Sequence, residues 1–243
     1  MAGVPRRLAA LVAATCAVGA VAGLAAGCAS VRSTLKQVGK GAHNPPGKTY
    51  AVTAPVRTVT IDAGGTITVT GTRKRGPVRV TESPSYSVTP PSATHTVKGS
   101  ALTLGYTCKS QLICSVSYDV TVPRGTAVHV DGHGGSVTLT SLSGPVTAQT
   151  STGLISATGL SGRSAALKSD AGGINATFTA PPASVQASTD VGSVTIGVPG
   201  SAAYQVNADA IVGVSNVSVR HAASTRHVIT AHSDLGDITV SPS

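Results

Sequence analysis

Tryptophan is absent from the 243 residues, and aromatic side chains make up only 2% of them: Phe178, Tyr50, Tyr86, Tyr106, Tyr118 and Tyr204. Acids are almost as scarce, with nine Asp and Glu in all and Glu82 the single glutamate. Carbohydrate enzymes stack sugars on aromatic platforms and work with paired carboxylates, so both shortages count against that chemistry. The missing aromatics also count against nucleic-acid binding, despite a pI of about 9.8, because bases need rings to stack on. Charged residues reach only 11% while hydrophobic ones reach 41%, which excludes a polyelectrolyte disordered chain. With so few rings, the core must be built from Val, Ala, Ile and Leu. Together with abundant Gly, Thr and Ser, these side chains suit short strands joined by turns, and the expected class is all-β.

The first stretch is not part of that fold. Arg6 and Arg7 precede an uncharged run from Leu8 to Ala26, which ends in Leu24-Ala25-Ala26-Gly27-Cys28. A positive start, an apolar middle and small residues before a cysteine form a lipoprotein export signal, with residues 1–27 removed and Cys28 carrying the lipid. The alternative is an uncleaved helix over the same run, which is long enough to span a bilayer. Both place the remainder outside the cytoplasm, on the outer face of the cell membrane. Residues 28–49 hold Arg32, Lys36, Lys40 and Lys48, no acids, and Asn44-Pro45-Pro46-Gly47. Without apolar periodicity they are expected to be a flexible basic tether.

Cys16 would leave with the signal. Cys108 and Cys114 remain, five residues between them, in a chain exposed to a non-reducing exterior, and a disulfide is expected. It would close a hairpin-like loop between strands at Ala101 to Tyr106 and Ser115 to Val122. No histidine stands near enough to complete a zinc site, and no metal or other cofactor is expected.

From residue 128 onward the chain repeats itself. Gly135, Gly153, Gly172, Gly192, Gly213 and Gly236 follow one another at intervals of 18, 19, 20, 21 and 23 residues. Seven places before them stand Val128, Val146, Ala165, Val185, Val206 and Ile229; two places after stand Val137, Ile155, Ile174, Val194, Ser215 and Ile238. Five before and four after are again apolar in every unit. A two-residue apolar period on both sides of a glycine turn means two short strands per repeat, each with one face inward. Equivalent positions in register favour a single-stranded parallel β-solenoid, in which each repeat is one coil over the last. An antiparallel meander or sandwich is the alternative. Residues 50–127 are a less regular β region, expected to cap the repeats of residues 128–243 within one domain of residues 50–243.

Gly65-Thr66-Ile67-Thr68-Val69, the cysteine pair, Tyr118-Asp119-Val120-Thr121-Val122-Pro123-Arg124-Gly125, and Leu142-Ser143-Gly144-Pro145-Val146 followed by Thr152-Gly153-Leu154-Ile155 carry a resemblance. Over roughly residues 55 to 240 the chain resembles the putative-adhesin β-strand-repeat family of actinobacterial lipoproteins, a domain family of unknown function. The resemblance implies a surface-exposed repetitive β domain and says little of what it binds.

Few residues suggest chemistry. His133, Ser151, Asp170, Asp190, Ile211 and Asp234 stand two places before the repeat glycines. Stacked coils would line several of them up about 5 Å apart, a carboxylate ladder or simply a set of turn caps. Ser33 and Lys36 have the spacing of penicillin-interacting enzymes but lie in the tether. His133-Gly134-Gly135 lacks a nucleophile elbow to serve, and His221, His227 and His232 lack a two-ligand spacing. The expectation is a non-enzymatic surface lipoprotein, a structural, adhesive or envelope-binding module, with a β-helix carbohydrate enzyme as the alternative.

Charge is unevenly spread. Residues 28–127 hold twelve Lys and Arg against three acids, a net +9, whereas residues 128–243 hold four against six, a net −2. Arg73, Lys74 and Arg75 are the densest cluster and the expected contact for an anionic envelope polymer. The other expected partners are the membrane, through the lipid, and another surface protein; nucleic acid is not among them.

Overall fold

The structure is a computed structural model that describes residues 41–109 and 113–243. The expected export signal, Cys28, Ser33, Lys36 and the expected tether as far as residue 40 lie outside the described residues.

Every regular element among the described residues is a strand. The first seven are β1 (Lys48–Val52), β2 (Thr58–Ala63), β3 (Ile67–Thr72), β4 (Val78–Tyr86), β5 (Ser92–Lys98), β6 (Ala101–Thr107) and β7 (Cys114–Pro123). The repeats supply strands two at a time: β8 (Ala127–Gly132) and β9 (Val137–Thr140), β10 (Val146–Thr152) and β11 (Ile155–Leu160), β12 (Ser164–Ala171) and β13 (Ile174–Phe178). Then come β14 (Ser184–Val191) and β15 (Val194–Val198), β16 (Gln205–Val212) and β17 (Ser215–Val217), β18 (Val228–Leu235) and β19 (Ile238–Pro242). The expected start of the domain at residue 50 falls two residues inside β1. His43, within the expected tether, already bridges to Tyr86.

The strands form two sheets, and each repeat contributes one strand to each. One runs β1-β4-β7-β3-β9-β11-β13-β15-β19-β17, the other β16-β18-β14-β12-β10-β8-β2-β6-β5. Pairing is parallel throughout the repeats, with Val146 beside Val128 and Ala165, and Ile155 beside Val137 and Ile174. No pair of repeat strands is antiparallel, which rules the meander out there. Only β1 with β4, β4 with β7 and β5 with β6 are antiparallel, at the N-terminal end of the stack. Alternation sets the faces: in β10, Val146, Ala148 and Thr150 are buried while Thr147 and Gln149 are exposed. The inward residues of both sheets join one apolar core, and neither sheet closes on itself.

Two expectations about order are corrected. The unit around Gly213 does not stack on its predecessor: β18 pairs with β14 on one side and β16 on the other, so the last pair of strands is inserted between the two before it. At the opposite end β2 and β3 lie inside the stack, between β6 and β7 on one flank and β8 and β9 on the other. The N-terminal region is therefore two regular layers covered by three antiparallel strands, rather than an irregular cap alone. The cysteines do form a disulfide, with Cα atoms 6.1 Å apart. It joins strands of different sheets, however, since β6 pairs with β2 and β5 while β7 pairs with β3 and β4, and no hairpin exists there.

The repeat glycines are required by close approach. Gly153, Gly172, Gly192 and Gly236 all have φ between +123° and +150°. A Cβ on each would collide with the carbonyl of the glycine one layer away: Gly135, Gly153, Gly172 and Gly192 respectively. Beside this column runs a second one that the sequence pattern also holds. Three places before the same glycines stand Thr150, Ser169, Thr189 and Ser233, all buried. Ser169 donates to Gly153 O at 3.1 Å, Thr189 to Gly172 O at 2.8 Å and Ser233 to Gly192 O at 2.9 Å. Each inward hydroxyl is satisfied by the carbonyl that the glycine column leaves available, tying neighbouring layers together without a buried polar cost.

Candidate anion-binding cleft

Arg73, Lys74 and Arg75 occupy the exposed connection between β3 and β4, where Gly76-Pro77 separates the strands and Thr72 Oγ1 accepts a hydrogen bond from Lys74 N at 3.2 Å. The three diverge. Arg75 lines a cleft of about 910 Å³ together with Arg57 and Arg124, whereas Arg73 and Lys74 do not line it.

The cleft is made from three turns. Arg57 follows Pro55-Val56 in the connection from β1 to β2, and its carbonyl accepts from Ala127 N at 2.8 Å. Arg124 stands in the turn Pro123-Arg124-Gly125, where Thr126 N donates to Pro123 O at 3.3 Å and Gly125 N donates to Ser143 Oγ at 3.0 Å. Gly125 adopts a φ of +81°, which an L side chain would resist. The backbone of two of the arginines is thus held while their guanidinium groups stay exposed. No acid lines the cleft, and none of Arg57, Arg75 and Arg124 forms an ion pair among the described residues. A cleft lined by three arginines and three prolines, with no acid, gives a positive concavity suited to phosphate or carboxylate oxygens. Sequence clustering found Arg75 and missed Arg57 and Arg124. The available signal was that each of the three stands within two residues of a proline that breaks a strand.

The other candidate residues are dispersed or engaged. Asp170, Asp190 and Asp234 do follow one another across β12, β14 and β18, as the registers require. Asp170 lies 3.3 Å from Lys168, and Asp234 2.8 Å from His232, which also faces Asp209 at 3.4 Å. Ile211 occupies the neighbouring position in β16. Among the described residues no three His, Cys, Asp or Glu side chains are gathered closely enough to hold a metal ion. His133 is 2.8 Å from Asp62, His227 donates from Nδ1 to Pro182 O at 2.6 Å, and His221 bridges to Tyr204. Glu82 is buried in β4 and accepts from Tyr50 Oη at 3.4 Å. Burial, then this neighbouring carboxylate, pushes the Tyr50 phenol above its ordinary range and keeps it a donor.

No family profile matches the chain, and no curated protein does. Three solved structures are similar at low identity. A putative cell adhesion protein from Clostridium sporogenes ATCC 15579 is 13% identical, with a TM-score of 0.47 over 83% of this chain and 100% of its own. A putative adhesin from Bacteroides fragilis NCTC 9343 is 12% identical, with a TM-score of 0.36 over 84% and 98%. A putative adhesin from Parabacteroides merdae ATCC 43184 is 9% identical, with a TM-score of 0.25 over 83% and 97%. At these identities and scores neither function nor partner passes from them to this chain.

Proposed function

We propose that the protein is a non-catalytic cell-surface lipoprotein whose repeat domain, a two-sheet β-solenoid with one coil per repeat, holds an anionic envelope polymer at the cleft of Arg57, Arg75 and Arg124. The observation that carries this is the cleft itself: three exposed arginines line it, and no acid does. The charge distribution agrees, since the net +9 lies in residues 28–127, which include all three arginines, and the repeats are net −2. Anchoring through Cys28 would hold that basic part near anionic wall polymer and lipid headgroups, where Coulomb attraction over about one Debye length, roughly 8 Å in physiological salt, is strongest.

Binding of the full chain, purified in non-ionic detergent, to a soluble phosphodiester polymer is expected to weaken steeply as salt rises. Changing Arg57, Arg75 and Arg124 to Ala should reduce affinity by about tenfold, since exposed, solvent-screened charge contacts each contribute roughly 0.2–1 kcal/mol. Arg73→Ala with Lys74→Ala should reduce it less. Binding that ignores salt and both sets of substitutions would eliminate the cleft as the contact. The anchor is checked separately: Cys28→Ala should abolish lipid labelling and leave an unprocessed precursor, and labelling that persists in this variant would remove the anchor.

A further inference from the structure

Ten large apolar side chains are exposed among the described residues; four of them, Ile211, Val212, Val214 and Val217, belong to the layer that ends both sheets, with Leu235 and Val191 one and two layers in. Val191, Leu235 and Val212 form one row across β14, β18 and β16. Ile211, Val214 and Val217 continue it onto the outermost layer, and Ile211 and Val214 are 65% and 68% exposed. Scattered exposed apolar residues need no explanation, but a contiguous group does.

This same layer supplies the outer edge of both sheets, β16 in one and β17 in the other. Outside β16 only its approach is covered among the described residues: Tyr204 N donates to Arg220 O, and Tyr204 O accepts from Ala222 N. From Gln205 to Val212 the edge lies open, as does β17. Proteins ordinarily protect such edges with charge, proline or a bulge. The other end of the stack follows that rule, for its edge strands β1 and β5 carry Lys48 and Lys98 and a largely polar run of Ser92, Thr94 and Thr96. The β16–β17 end does not. Its single charged residue between 205 and 217 is Asp209, already facing His232.

We infer that two copies of the chain meet at this end, related by a two-fold axis, each lending its β16 and β17 edges to the other. The occupant must offer two unpaired strand edges at the spacing of two stacked sheets, and it must be apolar and nearly uncharged. The same end of a second copy meets all of these conditions. The opposite end offers two edges as well, but stacking it here would set Lys48 and Lys98 against a largely apolar surface whose nearby carboxylates are already engaged, Asp209 by His232 and Asp237 by Val214 N. Like-on-like contact also closes after two subunits, whereas head-to-tail contact would grow without limit. Backbone pairing across the edges supplies the geometry, and burial of the Ile and Val side chains supplies the driving force.

Cross-linking tests this in intact cells producing the full-length chain in two differently tagged forms. Asp209→Cys and Asn216→Cys, at the midpoints of the two edge strands, should each give a dimer carrying both tags with a short bis-maleimide, whereas Thr96→Cys on β5 should give none. Adding Ile211→Asp and Val214→Asp should lower the dimer yield at least tenfold while leaving the melting temperature within a few degrees, because both side chains are exposed already. The inference is overturned if neither edge cysteine cross-links to a second copy, if both link only to a different protein, if Thr96→Cys dimerises equally, or if the aspartates leave the yield unchanged.

Discussion

Gly172→Ala is expected to destabilise the domain by more than about 4 kcal/mol, in the range that marks a specific structural failure rather than an average substitution. Two effects coincide. The residue has a φ of +149°, which an L side chain resists, and its Cβ would run into the Gly153 carbonyl one layer below. The collision cannot be relieved by rotating a side chain, because both partners are backbone. Separating the layers would break the bond from Gly153 N to Ala171 O and that from Ser169 Oγ to Gly153 O. Gly159→Ala is the control. That glycine also has a positive φ, +68°, but nothing lies nearer than 3.7 Å to its added carbon. It should cost about 1–2 kcal/mol, the left-handed backbone penalty alone. Equal denaturant midpoints for the two variants would mean that the layers are not in contact along the glycine column.

Ile155→Lys should be of similar size. Ile155 is fully buried between Val137 and Ile174, and no acid stands among the core residues of the repeats to receive an ammonium group. Several kcal/mol is the expected loss, from the missing apolar burial and the unpaired charge together. Ser156→Lys, one residue on and pointing to the other face, should change stability by no more than about 0.5 kcal/mol. Comparable midpoints for these two would invert the assignment of inside and outside.

The faces were legible because their cause is local. Val146, Ala148, Ile155 and Ala157 keep a period of two on either side of glycine, and all four are buried. The order of the layers was not, because the unit around Gly213 has nearly the apolar signature of its neighbours and periodicity does not say which neighbour a strand chooses. Its one departure, Ser215 at an inward position, marks the layer whose inward face is least covered: Ser215 and Val217 are both exposed there. The buried hydroxyls were present in the sequence too. Thr150, Ser169, Thr189 and Ser233 share one offset from glycine, while the edge layer has Ala210 instead. The cleft was legible by a third: Arg75 belonged to a visible cluster, whereas Arg57 and Arg124 are brought to it only by the stacking of distant turns.

The insertion of β18 and β19 between earlier layers bears on the order in which the sheets can be completed. β16 precedes β18 in the chain, yet among the described residues its only partner strand is β18. Before β18 is in place the nearest exposed edge is that of β14, whose inward Val185, Ala187 and Thr189 differ little in shape from Ile229, Ala231 and Ser233 of β18. Similar edges admit competing pairings, and a solenoid-like chain is weakly protected against them. Chain order therefore leaves the β14 edge open to β16 until β18 is available, and the native arrangement requires any such contact to yield to the later strand. The inserted layer thus closes the order of the sheets, which is complete only once residues 228–242 stand between two layers that precede them in the chain.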